Sequence, residues 1–467
     1  MGSYYVENFG CRATQADGAA IERQLADRGL SRAGTAADAE VVVLNTCTVT
    51  SSADQDARAA IRRIHRINPS ARIVVTGCYA QRAPEEISVL DGVSLVIGNS
   101  HKHRLAEIAA GSGFVPVGSL VNDAATEISF AAPANSAEHC ALVVVEDIFA
   151  HTELMAAPVF DSDNDKTRPN LKVQDGCNNR CAFCVIPFVR GRSRSLPLGE
   201  VLRNVDQLVS NGYQELVLSG INLGRWGRDL SLGQVSADTQ LSASRLRFVD
   251  LLQAILERTG APLLRISSVE PMDWSDELIA LAAASPRIAK HAHIPLQSGS
   301  DRILRQMHRR YRPWHYEDRI RRIHAAMPQA AIGADVMVGF PGESAEDFEQ
   351  TRAFIERLPF TYLHVFTYSS RPGTASAQMA DQVPVHLARE RNRVLRELAA
   401  RKKHRFQEQF IGGTLRALTL TQVARGRTEA LTDNYQKLWI KGELPANRML
   451  DVSIHSIEGE ALVGEVE

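Results

Sequence analysis

Cys177, Cys181 and Cys184, spaced C-x₃-C-x₂-C, directly follow the apolar run Leu171-Lys-Val-Gln. Thiolates are soft ligands, and four of them commonly hold a [4Fe–4S] cluster. A compact set of three leaves one iron without a protein ligand. An open iron on a cubane cluster is what is needed to bind S-adenosylmethionine and split it reductively. Zinc is the competing reading, but it needs a fourth donor, and no histidine or fourth cysteine stands close by. A set of inert buried thiols is the third.

A second set is dispersed. Cys11, Cys47 and Cys78 are separated by 36 and 31 residues, and each comes shortly after a strand-like run: Tyr4–Phe9, Val41–Leu44 and Arg72–Val75. Helical patterns at Gln15–Arg28 and Ala53–Ile67, and a further strand at Val93–Ile97, complete the rhythm of a parallel sheet with helices on its faces. Loops beyond the carboxyl ends of parallel strands meet at one rim, so three thiols distant in sequence can converge. Their neighbours Gly10, Thr46 and Gly77 allow close backbone approach to a bulky group. The reading is a second cluster, again with one iron free of protein thiolate. Three unrelated buried thiols are the alternative, because cysteine is commonly buried.

The elements that would position the first set form a second strand–helix alternation. Candidate strands are 170–174, 214–218, 263–267, 291–296, 332–338 and 361–366, with helices such as 199–210, 246–258 and 344–357 between them. Six such α/β units predict an incomplete TIM-like barrel, whose chemistry is built at the carboxyl ends of its strands. The Cys177 loop follows the first strand, and Phe183 would pack beside its cluster. The other strand ends carry candidate cofactor-binding groups. Ser219, Gly220 and Asn222 would meet the amino-acid end of S-adenosylmethionine. Ser268, Glu270, His293 and Gln297 add polar groups at the same rim, Gly339 is a further cofactor-binding candidate, and Phe340 and Pro341 would neighbour the adenine. A strand histidine such as His293 is equally read as a hydrogen-bonded core residue.

Beyond the barrel, Leu415–Val423, Leu438–Ile440, Met449–Ile457 and Ala461–Val466 predict a small antiparallel β-barrel, with Thr428–Tyr435 as one of its loops. Such barrels bind RNA or serve as structural caps. The expected domains are 1–132, a linker 133–168 with one short strand at Ala141–Val145 and Cys140 as a bystander, 169–400, and 401–467.

Composition sets the outer limits. At 467 residues and 44% hydrophobic content, the chain suggests several packed domains. It contains no apolar run of about 20 residues, as a membrane span requires, and its start lacks a basic, apolar leader pattern. Seven cysteines, odd in number and not spaced as a disulfide framework, fit a reducing cytoplasmic location. A net charge of −1 hides local basic patches: Arg190, Arg192 and Arg194, a run from Arg302 to Arg312, and residues 391–405 with seven Lys or Arg and one Glu. Arg401, Lys402, Lys403 and Arg405 lead directly into the C-terminal barrel. Each patch is either a solvated face or a polyanion contact.

Taken together, Cys177-x₃-Cys181-x₂-Cys184 and the three N-terminal cysteines resemble the radical S-adenosylmethionine methylthiotransferase family along essentially the whole chain. The resemblance implies a methylthiotransferase domain, a radical domain and a C-terminal TRAM domain. Asn45-Thr-Cys-Thr-Val-Thr50, Leu171-Lys-Val-Gln-Asp-Gly-Cys177 and Ile186–Ser195 resemble the branch acting on N6-threonylcarbamoyladenosine in tRNA. The branches acting on isopentenyladenosine or on a ribosomal protein are alternatives, as is a non-enzymatic RNA-binding iron–sulfur protein. The family implies two [4Fe–4S] clusters, S-adenosylmethionine, an external electron donor such as flavodoxin or ferredoxin, a sulfur source, and the tRNA anticodon stem-loop as partner, for a chain expected to act as a monomer. One S-adenosylmethionine would methylate sulfur at the N-terminal cluster. A second would yield the 5′-deoxyadenosyl radical that removes the hydrogen of adenine C2 at position 37. The substrate's carboxylate calls for a positive pocket group, for which Arg190, Arg192 and Arg194 are the candidates.

Overall fold

A computed structural model describes residues 2–111, 141–151, 154, 167–230 and 246–467; Cys140 and much of the expected linker lie outside these. The chain divides into two compact units. The first contains the N-terminal region together with Asp175–Asn179 and Cys184–Arg194, and the second contains Arg180–Phe183 and everything from Ser195 onward.

In the first unit, strands Ser3–Asn8, Val41–Thr46, Arg72–Gly77 and Val93–Ile97 pair in parallel. Strand Leu142–Val144 adds to the last of them, within the segment expected as linker. The alternation of strand side chains explains the two cores. Val42, Leu44, Ile73 and Val75 pack with Ile61 and Ile64 on one face. Val41, Val43 and Val74 pack with Ile21, Leu25 and Leu105 on the other. Helix Ser51–Ile67 starts where Thr50 accepts a hydrogen bond from the Ala53 amide, an ordinary side-chain cap.

In the second unit, six parallel strands form a curved sheet: Asn170–Asp175, Leu216–Gly220, Leu264–Ile266, His291–His293, Ala331–Val338 and Tyr362–Thr367. Parallel bridges Leu264–Ile288 and Ser268–His293 join its two halves. The expected six-unit incomplete barrel is therefore present. Helix Val385–Glu408 crosses position 400 without a break, so the expected boundary between the last two domains falls inside a helix. No helix among the described residues is long and apolar enough to cross a membrane.

The C-terminal barrel is closed and has five strands. One corrects the sequence reading: Arg427–Thr432, expected within a loop, is a strand paired with both neighbours. Its inward residues are Thr428, Ala430 and Thr432, all buried. Small side chains suffice there because Leu438, Ile440, Val452 and Leu462 fill the interior, so the strand lacks the large alternating residues that announce one. The turn that follows closes the amino end of the larger barrel. Buried Arg265 donates to the carbonyls of Asp433 and Thr432 at 3.0 and 3.1 Å. It also pairs with Glu215 at 2.7 Å, and Arg168 holds the same carboxylate. The Tyr435 ring lies 4.4 Å from His291 and 5.5 Å from Tyr362.

Candidate cofactor and catalytic site

Within the first unit the three dispersed cysteines converge. Cys11 caps helix Arg12–Asp27 and is exposed, Cys47 follows its strand and is buried, and Cys78 opens the short helix Cys78–Arg82. Gly10 adopts φ +98°, and a Cβ there would lie 2.5 Å from that of Cys47, so the two cysteine turns approach as only glycine allows. Burial pushes the Cys47 thiol up to about 12. The neighbouring thiols Cys78 and Cys11 add to this, and Arg190 opposes it. The three cysteines end adjacent parallel strands of one sheet, and soft sulfur donors suit iron. Asn99 reaches Cys78 Sγ at 3.6 Å and the Val189 carbonyl at 2.7 Å, while Val185 and Val189 pack over Cys78.

Beneath the thiols lies a buried charge network. Arg190 is 2% exposed. It donates to both oxygens of Asp175 at 3.0 and 3.1 Å and to Asp17 at 3.0 Å. Lys102 donates to Asp17 at 3.0 Å and to Asn45 at 3.2 Å. Two cations and two anions balance, which is what makes their burial tolerable. Arg190, expected as a substrate contact, is thus built into the floor of the N-terminal site. Arg194 is also buried and donates to the carbonyls of His151 and Arg190. Arg192 alone of the three is exposed.

In the radical motif, the Cys177 amide donates to the Gly191 carbonyl and Cys177 Sγ accepts from the Asn179 amide at 3.4 Å. Gly176, at φ +70°, turns the chain out of its strand; a Cβ would meet the Arg192 carbonyl at 2.0 Å. In the second unit, Arg309 donates to Cys181 Sγ at 3.2 Å, to Glu270, and to Tyr311 at 3.1 Å. The sequence placed Arg309 in an exposed basic run. It is in fact buried, and only the fold puts it on a cysteine of the motif.

The other expected rim residues separate into two groups. Ser219 Oγ and Gln297 Oε1 are buried without a hydrogen-bond partner among the described residues, as is Oγ of Ser267, the neighbour of the expected Ser268. Gln297 also holds φ +64°, a conformation costing a non-glycine residue about 1–3 kcal/mol. Orphaned polar atoms at strand carboxyl ends are what a polar cofactor would satisfy, so this rim fits S-adenosylmethionine. The Asn222 amide donates to Gln174 at 2.6 Å, and the neighbouring Gly220 leaves no room for a Cβ beside the same glutamine. By contrast, the Gly339 amide is engaged by Glu343, itself paired with Arg391. Phe340 is fully buried against Tyr368 and the cluster of Ala182, Met307 and Met337. Phe183 packs on that same cluster. His293 shares the Asp335 carboxylate with His364, at 3.3 and 3.2 Å.

The basic helix contributes to a surface feature at the other end of the barrel. Arg321, His324, Arg357, Arg401, Lys402 and Arg405 line a cavity of about 850 Å³. Lys402 donates to the Glu356 carbonyl, and Lys403 pairs with Glu460.

Residues 3–98 match the model described as Uncharacterized protein family UPF0004, and residues 171–355 match the Radical SAM superfamily. The chain is 35% identical over 450 residues to the threonylcarbamoyladenosine tRNA methylthiotransferase MtaB of Aquifex aeolicus, covering 96% of this chain and 99% of that protein. It is 35% identical to the MtaB of Bacillus subtilis, covering 95% and 91%. It is 31% identical to the tRNA-2-methylthio-N(6)-dimethylallyladenosine synthase of Saccharopolyspora erythraea, covering 99% and 86%. Among solved structures, the radical S-adenosylmethionine methyltransferase TsrM from Kitasatospora setae superposes with a TM-score of 0.56 at 15% identity, covering 91% and 80%. That likeness concerns the fold alone. With the three-cysteine motif, the converging N-terminal thiols and near full-length relatives, the chain belongs to the radical S-adenosylmethionine methylthiotransferase family, in its MtaB branch.

Proposed function

We propose that this enzyme adds a methylthio group to C2 of N6-threonylcarbamoyladenosine at position 37 of tRNA. The observation that carries the reading is the convergence of Cys11, Cys47 and Cys78 at adjacent strand ends in a chain that also has the radical motif. A radical enzyme that only cleaves its cofactor needs one cluster, whereas sulfur insertion calls for a second. Cys177, Cys181 and Cys184 hold the first [4Fe–4S] cluster, and Cys11, Cys47 and Cys78 the second. When bound, the clusters and S-adenosylmethionine supply the 5′-deoxyadenosyl radical and the methylated sulfur.

The chain's own groups prepare the site. Arg309 donates a hydrogen bond to Cys181 Sγ and is oriented by Glu270 and Tyr311. Ser219, Ser267 and Gln297 offer the cofactor its polar contacts. The Asp433–Gln436 turn and Tyr435 exclude water from the amino end of the barrel, which keeps a radical from being quenched. An external flavodoxin or ferredoxin supplies the electron, a separate donor replaces the sulfur, and the tRNA anticodon loop presents the base, all in the cytoplasm.

Nucleoside mass spectrometry after anaerobic reaction decides the substrate. The expected product is the methylthio derivative of threonylcarbamoyladenosine. Reaction with isopentenyladenosine tRNA alone would defeat the assignment but leave the radical chemistry intact. Reaction with a ribosomal protein and no tRNA product would overturn the substrate class.

A further inference from the structure

Strand register arranges the barrel interior in layers. On strand Ala331–Val338, the odd-numbered residues share one face; on Tyr362–Thr367, their partners are Tyr362, His364 and Phe366. Ala331 and Tyr362 pack against the C-terminal barrel and form the floor. Met337 and Phe366 pack with Ala182 and Phe183 of the radical motif and form the top. Asp335 and His364, which are direct partners, lie between, one same-face step or about 7 Å below Met337 and Phe366 and one above Gly333 and Tyr362. His293, whose register partner is Gly333 one step below, reaches the same carboxylate from the next strand at 3.3 Å, its ring 5.2 Å from that of His364.

This middle layer is polar. Burial opposes the charge on Asp335, but the His293 and His364 rings beside it hold the carboxyl well below its ordinary range. An ionised carboxylate only accepts, so His364 Nδ1 donates to it and Nε2 points elsewhere. His293 is buried, whereas the His364 side chain is 59% exposed. Of the three arginines first considered for a substrate carboxylate, Arg190 is committed to Asp17 and Asp175 and Arg194 to backbone carbonyls, while Arg192 is exposed; within the larger barrel, Arg265 is committed to Glu215 and Arg309 to Glu270.

We infer that His364, fixed by Asp335 and flanked by His293, is the specificity residue that receives the carboxylate on the N6 substituent of the target adenosine, an inference that rests on the substrate reading above. The His364 ring, held in place by Asp335, donates to the guest carboxylate in a charge-assisted hydrogen bond. An apolar isopentenyl group offers no acceptor and leaves this polar layer desolvated and unpaired, which a site built for hydrogen bonding penalises strongly.

The test uses the reconstituted full chain and three anticodon stem-loop RNAs, bearing threonylcarbamoyladenosine, its carboxyl methyl ester, or isopentenyladenosine. Wild type should prefer the free acid over the ester by about 10- to 100-fold in kcat/KM, the range of a hydrogen bond to a charged group. His364→Gln and His364→Phe should remove that preference while keeping wild-type iron content and cluster EPR spectra, which separates recognition from folding. An undiminished preference in His364→Phe, with wild type still acting on the free acid, overturns this inference alone. So does loss of the preference in Arg192→Gln instead. A stoichiometric non-iron divalent metal, present in wild type and absent from His364→Phe, would make the triad a metal site and overturn the inference too. Turnover of only the isopentenyl RNA by wild type brings down the inference together with the substrate reading.

Discussion

Cys177, Cys181 and Cys184 are carried on one short loop, whereas Cys11, Cys47 and Cys78 come from three strand ends spread over residues 11–78. The loop set is local in sequence, and what the fold adds is an environment: Arg309 on Cys181, brought from the turn between helices Asp301–Gln306 and Pro313–Ala326. The dispersed set is made by topology. It depends on parallel pairing of three strands, on Gly10 allowing the approach to Cys47, and on the Arg190–Asp17–Lys102 network beneath. Loss of a loop ligand therefore removes one reaction, while damage to the N-terminal floor should also reach stability.

Breaking the loop set has the largest expected effect. Cys181→Ala should reduce 5′-deoxyadenosine and methylthio product to background, measured by liquid chromatography of an anaerobic reaction. Breaking the dispersed set should split the two readouts. With Cys47→Ala, 5′-deoxyadenosine still forms but methylthiolated nucleoside does not. Replacing Cys11, Cys47 and Cys78 together should lower iron from about eight to about four per chain. Four irons in the intact, fully reconstituted protein would end the two-cluster reading.

The floor tests the comparison through folding. Arg190→Leu leaves Asp17 and Asp175 without their shared cation and should cost about 3–5 kcal/mol in denaturant unfolding, whereas exposed Arg192→Leu should cost well under 1 kcal/mol. Equal costs would mean that Arg190 is no more structural than its neighbour.

A second buried network, at the amino end of the barrel, gives a pH signature. Burial alone would raise the Glu215 carboxyl, but Arg265 and Arg168 bring it down to about 2. A depressed carboxylate stabilises the fold fully above its unfolded pKa of about 4.3 and loses that contribution as pH falls towards 2. The stability gap between wild type and Glu215→Gln should therefore shrink by about 3 kcal/mol across that window. A gap independent of pH would show that Glu215 is not held ionised.

The smallest effect is expected at the basic helix. Neutralising Arg401, Lys402, Lys403 and Arg405 should weaken tRNA binding and lower the salt slope by up to about one unit per lost phosphate contact. Lys402 and Lys403 already have protein partners, so Arg401 and Arg405 should account for most of the change. An unchanged slope would leave the helix a solvated face.

The sequence by itself determined both cysteine sets, the strand–helix rhythm of both α/β regions and the β-rich C-terminus. These features are written in local spacing and in apolar runs of period two or 3.6, which a linear reading detects. It could not reveal strand Arg427–Thr432, whose inward residues are small because others fill the barrel. It could not separate Arg190 and Arg309 from exposed arginines, since an arginine is buried only when distant carboxylates meet it, here Asp17 with Asp175 and Glu270. Nor could it join His293, Asp335 and His364. Tertiary structure decided those, because parallel strands far apart in sequence share a layer only through register, and register is fixed by hydrogen bonds between chain segments rather than within one.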